Sequence, residues 1–125
     1  MTQAKRLASE RCVACKPDSP HVTDADIEEL YPLVPEWEIV RESGVRRLRR
    51  RFSFYDFRSA LEFASGVGEI ADAEDHHPRI TIEWGRALVS WSTHAIKDLH
   101  RNDFIMAAKT DQVYKKVIPG HEPSN

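Results

Sequence analysis

Three histidines, His76, His77 and His94, are the residues whose type and spacing best suit chemistry, and two carboxylates, Asp72 and Asp75, lie close to them in sequence. Imidazole changes protonation state near neutral pH, so three of them can supply an acid, a base and an orienting group to one substrate. Asp72 or Asp75 can orient a ring through a charge-assisted hydrogen bond. Asp103 either complements the dipole of a helix that begins there or faces the site. A zinc centre is the competing reading, because three histidines and a water complete a tetrahedral site. Neighbours such as His76 and His77 rarely converge on one ion, which favours proton transfer.

The elements that must position these residues follow from periodicity and turn chemistry. Thr23 with Asp26 reads as a capping box, and Ile27, Leu30 and Tyr31 form the apolar stripe of a short helix that stops at Pro32. Trp37 to Val40 and Val45 to Phe54 flank turn-forming residues and predict a hairpin. Asp56 is placed to cap a helix whose buried face carries Ala60, Leu61, Ala64, Val67 and Ala71 and which runs toward Asp72. Gly66 and Gly68 weaken that helix, so close packing is needed to justify them. A last helix starts near Asn102 or Asp103, carries Phe104, Ala107, Ala108 and Tyr114, and ends before Pro119.

Between these helices, Ile80 to Trp84 and Ala87 to Ser92 flank Gly85-Arg86, which predicts a two-residue type II′ hairpin. That turn sets Ile80 opposite Trp91, Ile82 opposite Val89 and Trp84 opposite Ala87 on an apolar face. Thr81 then meets Ser90 on the polar one. Extended past Pro78, the same register brings His77 opposite His94, about 5 Å apart at Cβ. The expected fold is α+β: a two-layer domain with a four-stranded antiparallel sheet and helices on one face, in the order α-β-β-α-β-β-α.

A chain of 125 residues with 41% hydrophobic and 30% charged residues suits one ordinary globular core. No apolar run approaches the roughly 18 residues of a membrane span, and no secretory signal follows Lys5 and Arg6, so the expected compartment is the cytosol. A net charge of −2 gives no pull toward nucleic acid. The run Arg46 to Arg51 is divided by strand alternation, with Arg47, Arg49 and Arg51 on one face, which reads as a solvated or interface strand. Cys12 and Cys15 make half a zinc site, His21 being a conceivable third ligand, and they read as reduced, non-catalytic thiols. They lie in a loose N-terminal arm, 1–21, ahead of the domain, 22–118, and a C-terminal tail, 119–125.

The pattern Asp72-x-x-x-His76-His77-Pro78, with Trp84, His94 and Asp103 at their spacings, resembles the pterin-4a-carbinolamine dehydratase family from Val22 to Tyr114. Its most recognisable pieces are Glu74-Asp75-His76-His77-Pro78 and Ser92-Thr93-His94. The resemblance implies the same element order, no metal or organic cofactor, a small-molecule pterin as partner, and a homodimer or homotetramer. It implies dehydration of 4a-hydroxytetrahydropterin to quinonoid dihydropterin, in tetrahydrobiopterin or related pterin recycling. Within it His76 and His94 act as the acid and base pair, and His77 binds the pterin or shares the proton transfer. Other roles known for the family are a dimerisation cofactor of a transcription factor and a part in molybdopterin-cofactor metabolism. Asp72 stands where many members have glutamate, so its reach is one methylene shorter. Trp84 is expected to pack in the core. His100 stands where a serine or threonine often caps the last helix, so Asn102 is expected to cap instead. The Cys12 to Cys15 stretch lies outside the resemblance.

Overall fold

Why the sheet folds as it does is visible in β2 (Val45–Ser53), where Leu48 and Phe52 are buried and Arg47, Arg49 and Arg51 point to the opposite face. The computed structural model describes residues 2–118. It contains α1 (Gln3–Ser9), α2 (Asp24–Leu30), β1 (Glu38–Glu42), β2, α3 (Phe57–Glu74), β3 (Arg79–Glu83), β4 (Arg86–Trp91) and α4 (Arg101–Val117). The strands form one antiparallel sheet in the order β1-β2-β4-β3. From α2 onward the order is the expected α-β-β-α-β-β-α, and the fold is α+β. Of the outward arginines, Arg49 meets Glu38 of β1 at 2.8 Å and Arg47 meets Glu42 at 4.0 Å, both arginines half-buried, while Arg46 and Arg50 on the other face pair with Asp98 and Asp111 at 2.7 Å.

The β3–β4 hairpin differs from expectation by two residues. Ile80 pairs with Val89 and Ile82 with Ala87, and Glu83 pairs with Arg86 to close the loop Trp84-Gly85. Gly85 takes φ +73 at the second loop position, which suits a glycine as in a type II turn. An even shift leaves every side chain on its expected face. It does move Trp84 out of the ladder to the hairpin tip, where it is 74% exposed and not in the core. It also ends the ladder at Arg79–Ser90, so His77 and His94 are not cross-strand partners.

Two expected features of the helices are also revised. In α3, Leu61 is 45% exposed and Phe63 takes its place among Ala60, Val67 and Ala71, because steps of three, four and four residues trace the stripe that faces the core. Phe63 joins Phe52, Phe54 and Tyr114 in a cluster of tilted and edge-on rings with centroids 4.6 to 5.9 Å apart. The arm expected to be loose is a helix, α1, which packs on α4 with Leu7 and Ala8 inside the core cluster. Burying Leu7 requires the chain to fold back, and Lys109 Nζ donating to Ala8 O at 2.8 Å fixes the return. The expected tail, 119–125, lies outside the described residues.

Helix α4 is capped by His100, not Asn102. The His100 Nδ1 accepts from the Asn102 amide at 3.0 Å, and Asp103 reaches back to accept from the His100 amide at 2.9 Å. A ring that accepts at Nδ1 must be neutral there, and burial holds the His100 pKa below the usual 6.5 against the opposing pull of Asp103.

Two predictions follow from this packing. A Cβ on Gly66 would lie 2.7 Å from Val113 Cγ1, and a valine in a helix has little rotamer freedom with which to yield. Gly68 has no atom within 4 Å of the same position. Gly66→Ala should destabilise by about 1–3 kcal/mol and Gly68→Ala should stabilise by about 0.5–1 kcal/mol, measured by urea denaturation; equal effects would contradict the close approach of α3 and α4. The second concerns pH. Because the unfolded His100 takes up a proton near pH 6.5 and the folded one only at lower pH, its contribution is whole above pH 6.5 and shrinks as pH falls below it. His100→Asn, which keeps a capping acceptor without the titration, should lose less stability between pH 8 and pH 5.5 than the wild type does.

Candidate active site

The last turn of α3 delivers two of the histidines. Asp75 adopts a left-handed conformation (φ 51), and the amides of Asp75 and His76 donate back to the carbonyls of Asp72 and Ala71 at 3.3 and 3.1 Å. This is a Schellman ending with aspartate in the place that glycine usually takes. It turns the chain sharply, so that His76 and His77 leave the helix on a fixed path. His94 comes from a second tight loop. Thr93 and Asp98 exchange backbone hydrogen bonds at 3.0 and 3.4 Å, and His94–Ile96 form one turn of 3-10 helix between them.

The loop that carries His94 is held from outside by Arg46, whose Nε and Nη2 donate to Asp98 at 2.7 and 2.9 Å. That guanidinium, with His21 Nδ1 at 2.7 Å, keeps the Asp98 carboxyl well below the usual carboxylate range. The loop is held from inside by Asp103. This carboxylate is fully buried, and its Oδ2 accepts from the Thr93 hydroxyl at 2.8 Å as well as from the His100 amide. Its Oδ1 lies 2.7 Å from His76 Nε2. Asp103 therefore closes the N-terminus of α4 and also contacts His76, which lines the site cavity.

His76 is mostly buried and lies flat against Trp91, with ring centroids 5.7 Å apart and planes 9° from parallel. Trp91 is fixed in turn by its Nε1 donating to Thr110 Oγ1 at 3.1 Å. Through the contact at Nε2, Asp103 fixes the His76 ring from that side, and Nδ1 is the ring nitrogen that the carboxylate does not engage. His77 is arranged in the same sense but in water, with Nε2 2.9 Å from Asp72 Oδ1 and both groups exposed. Asp72 thus reaches His77 directly despite being shorter than glutamate. An exposed pair of this kind stabilises little.

His76, His77, His94 and Asp75 line one cavity of about 530 Å³, together with Glu74 and the Ser92–Thr93 backbone turn. That volume falls in the range of small-ligand sites. Val13, Ala14 and Cys15, residues of the arm that the sequence reading left out of the site, also line the cavity. Nothing in the arm's composition announces this; the only signal is Leu7, a lone large apolar residue in a polar stretch. Thr93 and Trp91 were also not anticipated as supports, although both adjoin or precede His94 within three residues. Asp72 and Asp103 each hold a histidine, and Asp75 shapes the turn between them. Among the described residues, no group of three His, Cys, Asp or Glu side chains is arranged to hold a metal ion, and no helix is long and apolar enough to cross a membrane.

Comparison with known proteins points the same way. Residues 20–113 match the family described as pterin 4 alpha carbinolamine dehydratase. A Gloeobacter violaceus protein, provisionally named pterin-4-alpha-carbinolamine dehydratase 1, is 54% identical over 111 residues, covering 89% of this chain and 96% of its own. A relative of the same provisional name from Nitrosococcus oceani is 50% identical over 109 residues, covering 87% of this chain and 96% of its own. Among solved structures, a transcriptional coactivator/pterin dehydratase from Brucella melitensis superposes with a TM-score of 0.68 at 25% identity, covering 76% of this chain and 99% of that one. A pterin dehydratase-like RuBisCO assembly factor of the alpha-carboxysome shares the fold, with a TM-score of 0.54 at 15% identity, covering 63% of this chain and 89% of that one. With its histidine pattern, its sheet order and a family match over most of its length, the chain belongs to the pterin-4a-carbinolamine dehydratase family.

Proposed function

We propose that this chain dehydrates a 4a-hydroxytetrahydropterin to quinonoid dihydropterin by histidine acid–base catalysis. The observation that carries the reading is the convergence of His76, His77 and His94 on one cavity, with His76 oriented by a buried carboxylate. The reaction needs little else. A proton is given to the 4a hydroxyl, the C4a–O bond breaks and water departs, the proton on N5 is taken up, and a C4a=N5 double bond closes the balance. One imidazole serves as acid and another as base.

In this reading His76 and His94 are the acid and base pair, and His77 binds the pterin and shares in the proton transfer. Asp103 and Asp72 orient His76 and His77 respectively through Nε2. Asp75 works through the backbone turn that aims the pair. The pterin is the small-molecule partner and no cofactor is called for. The setting is pterin recycling in the cytosol, by a homodimer or homotetramer that pairs through the sheet edges β1 and β3 or through helices.

The test is stopped-flow measurement of carbinolamine dehydration by purified protein. His94 is exposed, so His94→Ala should melt as the wild type does, while its kcat falls by about 10²–10⁴. His76→Ala should lose activity to a similar degree, with a lower melting temperature from the lost Asp103 bond. Turnover at the wild-type rate in His94→Ala would rule out the assignment.

A further inference from the structure

The stretch Val13-Ala14-Cys15 is built into the cavity wall although it precedes the family-matched region, 20–113. Its backbone is held as firmly as a strand. The Cys12 amide donates to Glu74 Oε1 at 2.6 Å, and Arg11 pairs with Glu74 Oε2 at 2.7 Å. The Val13 amide donates to Asn102 Oδ1 at 3.2 Å. Asn102 Nδ2 returns a bond to Val13 O at 2.8 Å and another to Cys15 Sγ at 3.2 Å. Asn102 is 2% exposed, so its amide serves both backbone edges of Val13 much as a neighbouring chain would.

The anchors are not scattered. Glu74 ends the helix that delivers His76 and His77, and Asn102 adjoins Asp103, which holds His76. Farther on, His21 bonds Asp98 at the foot of the His94 loop. Each element that carries a site histidine or its carboxylate therefore also fixes the arm. Meanwhile Val13, which lines the cavity, is 62% exposed, an apolar residue on a backbone bonded at both its amide and its carbonyl. The thiols have a different part. Burial and the Glu74 charge push the Cys12 pKa up to about 12, so it remains a packing thiol.

We propose that Val13-Ala14-Cys15 is a substrate-positioning wall, in which Val13 gives the flat pterin an apolar contact and Asn102 sets the position of that wall. This rests on the pterin reading above and adds to it a binding element supplied from outside the matched region. Because the wall and the proton-transfer groups sit on different segments, disturbing the wall should weaken binding more than it slows chemistry.

Val13→Asp removes the apolar contact and sets a charge beside Glu74 and Asp75. It should raise KM for the carbinolamine about tenfold with kcat within about twofold of wild type. Asn102→Ala should shift KM the same way, with thermal melting recorded to show that α4 remains folded. Biopterin, which has no 4a hydroxyl to lose, serves as a second probe, its Kd read from pterin fluorescence; both variants should weaken it. If the wild type turns over and Val13→Asp leaves KM and biopterin Kd unchanged, the wall is overturned and the dehydratase reading stands. If the wild type binds biopterin without turnover, the dehydratase reading fails, and weaker binding by Val13→Asp still supports the wall. If it neither turns over nor binds, both fall.

Discussion

A buried carboxylate with no compensation would cost several kcal/mol, yet Asp103 is fully enclosed, and the site depends on it. Three circumstances offset its burial. It lies in the first turn of α4, where the helix dipole favours a negative group, and it accepts from the His100 amide and the Thr93 hydroxyl. The remaining acceptor is directed at His76 Nε2. Through one side chain, the end of α3, the His94 loop and the start of α4 are fixed relative to each other. These segments are separated by up to 27 residues along the chain.

The three histidines are consequently not equivalent. His76 is locked by a carboxylate on one nitrogen and a tryptophan face along its ring, so its orientation is set before any ligand arrives. His77 and His94 are exposed, His77 paired only with the exposed Asp72 and His94 carried by the Thr93–Asp98 loop.

Strand parity was readable from the sequence, and strand register was not. Alternation in Ile80, Ile82, Val89 and Trp91 identifies the buried face whatever the turn, since any even shift preserves it. Where the turn falls depends on which loop position holds Gly85. A positive φ is accepted at either place by glycine alone, so two registers were compatible with the same residues. The one adopted leaves Trp84 at the tip and stops the ladder before His77. The histidines still meet, for a reason invisible to pairing arithmetic: two local turns, at Asp75 and around Thr93–Asp98, bring them to one cavity from outside the ladder. The spacing pattern that marked the family was legible because it includes both Asp103 and the residues it binds.

The arm was expected to be loose, yet residues 11–15 are bonded to the body of the domain, and the reason is physical. Its order comes from side chains elsewhere in the chain that satisfy its backbone, chiefly Glu74 and Asn102, and such acceptors carry no local signature. One consequence concerns α4, whose neighbouring residues Asn102 and Asp103 divide the site between them. Asp103 turns inward to the histidine and Asn102 turns to the arm, so one helical turn fixes both His76 and the arm. A helix start is well suited to that task, because its first residues are held by both capping bonds and packing.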